Sequence, residues 1–216
     1  MYHFIEDKEF LKNLRSTCSN IVNQLVQRIN NDSVMTVEAH LVGSGARKLE
    51  TQNANEPIDL DYNLNIIETY KFNINDCRNI KEYVRKQFNI ILNNNGWGDC
   101  QDSTSVLSTE YRHFKHGNQT SFKIDLAIVR ASQKGWFRLI HDKTGFVDLD
   151  RYFWNEAPHS IGLVSKVDKI KSYGLWESVR ETYLGKKNMY LKRQDKFHPS
   201  FNCYIEAVNQ VFLQNF

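Results

Sequence analysis

Apolar residues recur at steps of three and four through residues 8–30, at Phe10, Leu11, Leu14, Cys18, Ile21, Leu25 and Ile29. Asn, Gln, Arg and Lys fill the gaps, so the period predicts an amphipathic helix that packs one face on a sheet as scaffold. The polar turn Asn30-Asn31-Asp32-Ser33 ends it. An apolar run over 35–42 then predicts a strand that stops at Gly43-Ser44, followed by a loop or short helix over 45–57. A second run over 58–67 predicts another strand. The helical period returns over 73–93, through Ile74, Cys77, Ile80, Val84, Phe88, Ile91 and Leu92. Asn75-Asp76 marks its start and Asn93-Asn94-Asn95-Gly96 its stop.

Residues 104–113 and 120–129 read as two strands joined around His116-Gly117-Asn118, and 136–141 as a short strand. Pro158 marks a break. Residues 163–193 are mostly helical, interrupted at Gly174 and Gly185, and His198-Pro199-Ser200 opens a last helix over 201–212. Proline fits a helix's first turn because its missing N–H costs nothing there. The order predicts an α/β (α+β) fold, with a small mixed sheet flanked by helices and an all-helical C-terminal half. The expected division is 1–135 and 136–216.

Composition narrows the class. A chain of 216 residues with 41% hydrophobic and 12% aromatic residues has the makings of a full folded core. A net charge of only +3 provides no global field that demands a long nucleic-acid partner. The four cysteines, Cys18, Cys77, Cys100 and Cys203, lie far apart with no C-x-x-C pair, which points to reduced thiols and away from a zinc site. No apolar run reaches transmembrane length and the N-terminus lacks a signal-peptide pattern, so the expectation is a soluble, cytoplasmic protein with no membrane partner.

The chemistry gathers between residues 41 and 64. Side chains alternate faces along a strand, so Asp59 and Asp61 point the same way, roughly 6–7 Å apart along the backbone, while Leu60 points into the opposite layer. Neighbouring carboxylates repel and need a compensating cation. Hard divalent ions such as Mg²⁺ take one or two carboxylates together with substrate phosphates. The Gly43-Ser44 turn complements this, because glycine permits close backbone approach and serine offers a hydroxyl and an N–H to a phosphate. A third acid, Asp125, sits mid-strand in Phe122-Lys-Ile-Asp-Leu-Ala-Ile-Val129, sharing a face with Lys123 and Ala127. Arg47 and Lys48 follow the turn; they face a triphosphate or are ordinary solvated charges.

A Gly-Ser turn, then a strand with Asp-x-Asp, then a strand with a third acid resembles the signature of the polymerase-beta-like nucleotidyltransferase superfamily, over about residues 35–129. The longer stretch between Ser44 and Asp59 and the helical C-terminal half look most like the oligoadenylate and cyclic-nucleotide synthase branch, although this chain is short for it. The resemblance implies that Asp59, Asp61 and Asp125 bind metal, Mg²⁺ or Mn²⁺, and carry catalysis by a two-metal mechanism. It implies a nucleoside triphosphate as donor and pyrophosphate as leaving group. Gly43 and Ser44 then orient the β- and γ-phosphates, joined by Arg47 and by a lysine of the 165–172 cluster, Lys166 or Lys169, while the helical half closes over the nucleotide. The acceptor stays open among a nucleotide, an RNA end, a small molecule and a protein, as do the base and the oligomeric state.

Competing readings are weaker. Asp148-Leu149-Asp150 is a second Asp-x-Asp, but no Gly-Ser turn precedes it, and acids suit a loop or helix start. Ser44 lacks a G-x-S-x-G context, and Gly43-Ser-Gly45 lacks the G-K-[ST] ending of a Walker loop. Trp154, Tyr173 and Trp176 suit base stacking and core packing equally. The rival function is a nucleotide-binding module that senses or regulates without chemistry.

Overall fold

The structure, a computed structural model, describes residues 1–133, 135–157, 160, 162–195 and 198–216. The elements begin with β1 (Tyr2–Phe4), α1 (Lys8–Asn31), β2 (Met35–Leu41), α2 (Gly43–Arg47), β3 (Thr51–Asn53) and β4 (Ile58–Thr69). Next come α3 (Cys77–Asn94), β5 (Gln101–Asp102), β6 (Leu107–Ser108), β7 (Phe122–Ser132), β8 (Gly135–Asp142) and β9 (Arg151–Glu156). Helices α4 (Leu163–Ser172), α5 (Trp176–Lys192) and α6 (Ser200–Asn215) complete the chain. The fold is thus α/β, with a seven-stranded mixed sheet and six helices among the described residues.

Two compact units share these elements. One comprises Asp7–Lys48 and Pro57–Ala157, the other Met1–Glu6, Leu49–Glu56 and Pro158–Phe216. The division falls after residue 157 rather than at 135, because β8 hydrogen-bonds to β7 and β9 to β8, which carries 135–156 into the sheet. The short strands β1 and β3 pair with each other and belong with the helices. Three-residue strands carry no apolar alternation, which is why the sequence pattern missed them. The break expected at Pro158 lies outside the described residues.

In the sheet unit, β2, β4, β7, β6 and β5 lie side by side in that order. The β4–β7 pair is parallel and its neighbours are antiparallel. A parallel pair needs a crossover, and α3 lies within it. Helix α1 starts where Asp7 accepts a hydrogen bond from the Phe10 N–H at 2.9 Å, and it buries Phe10, Leu14, Cys18, Ile21, Leu25 and Ile29. Helix α3 begins at Cys77, four residues later than the apolar period suggests. Residues 73–76 close a turn instead, with the Asp76 N–H donating to the Asn73 carbonyl at 2.8 Å and the Asp76 side chain capping the helix. The strand expected over 104–113 shortens to β6 and one bridge, Arg112 to Phe122.

The helical unit has its own core of Val167, Ile170, Val179, Tyr183, Cys203, Ala207, Val208 and Val211, with Leu49 among them. Helix α6 starts at Ser200, with Pro199 at its N-cap. All four cysteines are buried free thiols. Among the described residues no helix is long and apolar enough to cross a membrane.

Candidate active site

Strand β4 alternates cleanly. Ile58, Leu60, Tyr62 and Leu64 are buried on one face, whereas Asp59, Asp61 and Asn63 occupy the other, exposed or half-buried. The apolar face anchors the strand on the helices, Tyr62 reaching Ser19 of α1 through a 2.9 Å hydrogen bond. Strand β7 repeats the scheme with Phe122, Ile124 and Leu126 buried and Lys123 and Asp125 half-buried. The register sets Asp61 opposite Asp125 and Asp59 opposite Lys123. Partners in a sheet share a face. Asp59, Asp61, Asp125 and Lys123 therefore stand on one surface of the two central strands.

The Gly-Ser turn meets this surface from the side. Where β2 ends, the Val42 N–H donates to the Asp61 carbonyl at 2.8 Å, which ties the turn to β4. Gly43 follows at φ +63°, and a Cβ built there would stand 2.4 Å from Asp61 Oδ2. Only glycine fits, by conformation and by space. The segment 43–47, expected as a turn and then a loop or short helix, is helix α2, with Ser44 in its first turn. The Arg47 guanidinium donates back to the Gly43 carbonyl at 2.6 Å, bracing that turn.

Charge is unevenly compensated. The Lys123 ammonium lies 3.1 Å from Asp125 Oδ2 and 3.9 Å from Asp59 Oδ1. Burial works against that ammonium, but the Asp125 hydrogen bond and the two carboxylates outweigh it and hold its pKa above the ordinary lysine value. Asp59 is raised, by desolvation first and by Asp125, with Lys123 pulling it down. Asp61 is pushed up to about 6 by burial, then by the charges of Asp125 and Asp59, with Arg138 and Lys123 opposing. A carboxyl driven up by burial and like charge makes this surface a candidate site with a physical cause.

Part of this donor set is left uncompensated. Asp125 Oδ1 is buried without a hydrogen-bond partner, and Asp61 beside it lacks the charge that would return its pKa to normal. Among the described residues, no three His, Cys, Asp or Glu side chains stand as a ready ligand group. In the sequence Lys123 stands out only as a face-sharing neighbour, and its i, i+2 spacing from Asp125 is the signal that points to it. Arg138 carried no such signal, since its place depends on the β7–β8 register.

The remaining candidate residues have partners of their own. Lys166 and Lys169 stand on α4 in the helical unit, where Lys166 donates to Asn209 Oδ1 at 2.6 Å and Lys169 lies 4.1 Å from the Phe216 ring centroid. Trp154 donates to the Ile74 carbonyl at 2.7 Å, and Lys171 lies over Trp176. The second Asp-x-Asp forms a 3-10 turn, Val147–Leu149, leading into Asp150, which accepts from His141 Nε2 at 2.9 Å. The other ring nitrogen of His141 meets Asp102 at 2.7 Å, and Lys81 pairs with Asp102 at 2.6 Å. Asp150 belongs to a buried network, away from the three acids of β4 and β7.

No protein-family model and no curated protein sequence matches the chain. Solved structures do match its fold. The structure of Escherichia coli MS115-1 CdnC with ATP aligns with a TM-score of 0.57 at 14% identity, over 96% of this chain and 66% of that one. Vibrio cholerae DncV cyclic AMP-GMP synthase, in complex with the linear intermediate 5′ pppA(3′,5′)pG, aligns with a TM-score of 0.56 at 12% identity, over 81% and 47%. The Elizabethkingia meningoseptica CdnE cyclic dinucleotide synthase, with GTP and Apcpp, gives 0.52 at 11% identity, over 92% and 70%. The chain thus spans about half to two thirds of the length of the first two. Its fold is shared with these structures, among them a cyclic AMP-GMP synthase and a cyclic dinucleotide synthase.

Proposed function

We propose that the chain is a nucleotidyltransferase, moving a nucleoside monophosphate from a nucleoside triphosphate to an acceptor hydroxyl with release of pyrophosphate. One observation carries the reading. Asp61 and Asp125 stand in register on adjacent parallel strands, with the Gly43 backbone pressed against the Asp61 carboxylate. That juxtaposition offers oxygen ligands and a glycine-started helix on one surface, the two halves of a metal–triphosphate site.

Asp59, Asp61 and Asp125 would hold Mg²⁺ or Mn²⁺. Such ions would supply Lewis acidity for an in-line displacement at the transferred phosphorus. The Gly43 backbone and Ser44 orient the β- and γ-phosphates. Asp125, where it stands nearest the acceptor, also takes its proton. Arg47, turned onto the Gly43 carbonyl, keeps the start of α2 in place for the phosphates. The reaction belongs to the cytoplasm. The CdnC structure with ATP and the CdnE structure with GTP and Apcpp support a nucleotide partner. The acceptor class follows the same support, a second nucleotide being the first to try.

A second reading, a module that binds nucleotide without chemistry, draws on Lys123, whose ammonium already pairs two of the acids. One assay separates the two. Purified protein is incubated with each labelled triphosphate, Mg²⁺ or Mn²⁺ and candidate acceptors. Labelled product with pyrophosphate establishes transfer, while saturable binding with neither establishes the module.

A further inference from the structure

Lys123 is paired with the acids themselves. Its Nζ is 3.1 Å from Asp125 Oδ2 and 3.9 Å from Asp59 Oδ1, and its side chain is only 18% exposed. The register forces this, since Lys123 stands opposite Asp59 on the neighbouring strand and two residues before Asp125 on its own. The contact is a property of the sheet, not of a wandering surface side chain.

A bridging ammonium and a divalent ion draw on the same carboxylates. Mg²⁺ holds its ligands at about 2.0–2.1 Å, so an ion on Asp125 or Asp59 meets the ammonium at close range and the two like charges repel. The lysine stem is four carbons long and flexible, so the ammonium can withdraw without moving the strand. In its paired position the ammonium also lies 5.8 Å from the Tyr111 ring centroid. Asp61, by contrast, has no ion pair with Lys123 within 4 Å among the described residues, and Asp125 Oδ1 has no hydrogen-bond partner. The site is therefore half satisfied by its own cation and half prepared for another.

We infer that Lys123 is a built-in counter-ion of the carboxylate site, whose charge opposes a divalent ion there. This deepens the proposed function and rests on it. Lys123 is a positioning residue that sets the order of events. Ion alone binds weakly, because a paired ammonium already neutralises part of the site. Ion together with a triphosphate binds well, because the phosphates give that ammonium a new anionic partner. Metal and nucleotide entry are thereby coupled through one side chain.

The test is a Mn²⁺ titration of the full chain, followed by the electron paramagnetic resonance signal of free Mn²⁺, with and without a non-hydrolysable ATP analogue. Wild type, Lys123→Met, Lys123→Gln and Lys123→Arg are compared, and circular dichroism checks that each is folded. Without nucleotide, Lys123→Met and Lys123→Gln are expected to bind Mn²⁺ about tenfold more tightly than wild type or more, because an opposing charge has left the site. Lys123→Arg is expected to stay near wild type. With the analogue present the difference shrinks. Equal or weaker Mn²⁺ binding by both neutral variants overturns the role of Lys123, while the metal site itself stands. Adding Asp61→Asn in the wild-type and Lys123→Met backgrounds tests the underlying reading. If that substitution leaves Mn²⁺ binding unchanged in both, the acids do not hold the ion and both proposals fall.

Discussion

Gly43 and Asp61 are separated by less than a methyl group allows, because a Cβ on Gly43 would stand 2.4 Å from Asp61 Oδ2. Gly43 also has a φ of +63°, in the left-handed region. Gly43→Ala is therefore expected to cost about 1–2 kcal/mol for the backbone conformation alone. The melting temperature should fall by several degrees, since roughly 2–4 °C accompanies each kcal/mol in a chain of this size. The displaced Asp61 carboxylate should cost activity at least about a hundredfold, as an ångström of misplacement does at reacting centres. A folded Gly43→Ala protein with wild-type activity would separate the turn from the chemistry.

The two Asp-x-Asp pairs make opposite demands. Asp61→Asn is expected to abolish nucleotidyl transfer, because it removes a charged ligand. Asp150→Asn should keep most of the activity and lower the melting temperature instead. Its carboxylate accepts from His141, from the Thr144 N–H at 2.8 Å and from the Thr144 hydroxyl at 3.2 Å. Those bonds hold its pKa below the usual carboxylate range. Transfer assays and melting curves of both variants decide it, and equal loss of activity in the two would mean that the site was assigned to the wrong pair or to only one of them.

Acid–base linkage gives a signature without substrate. Asp61 has a folded pKa of about 6 against a carboxyl value of 3.8, so the native state binds more protons than the unfolded one between those values. The resulting penalty is absent below the unfolded value, grows as pH rises, and is fully present above the folded one. It is on the order of 2–3 kcal/mol at neutral pH. In EDTA, Asp61→Asn should therefore match wild type near pH 4.5 more closely than at pH 7.5, where it should be the more stable protein. Urea midpoints at the two values measure this. A variant markedly less stable at pH 7.5 would make Asp61 a structural residue with satisfied bonds.

Lys81 provides a control far from nucleotide chemistry. Its ammonium pairs with Asp102 at 2.6 Å and donates to the Ser103 carbonyl at 2.8 Å, with side chains 2% and 9% exposed. Burial depresses its pKa while Asp102 raises it in opposition. Lys81→Met leaves Asp102 buried with His141 as its remaining side-chain partner among the described residues, and breaking such a pair costs about 3–5 kcal/mol. Urea unfolding should show that loss, while the activity per folded molecule stays near wild type. A loss under 1 kcal/mol would mean that the pair is solvated in solution.

What the sequence determined by itself is whatever repeats along the chain. The 3.6-residue period drew helices α1 and α3 to within a few residues, and alternation assigned Asp59 and Asp61 to one face with Leu60 on the other. Both rest on apolar side chains seeking burial, which local spacing records. Gly43-Ser44 was legible for a similar reason, since a glycine that ends an apolar run announces a backbone need. Register left no such trace. That Asp125 stands opposite Asp61 and Lys123 opposite Asp59 is decided by which residues of β4 and β7 exchange hydrogen bonds, and a one-residue slip would turn every side chain of β7 to the other face. The same holds for β8 and β9, whose membership of the sheet moved the unit boundary from 135 to 157. The buried union of Lys81, Asp102, His141 and Asp150 joins four segments that no spacing connects. Its members are charged and polar, and such groups enter a core only when partners from elsewhere in the chain arrive with them. Apolar periodicity needs one segment to be read; charge compensation needs the whole fold.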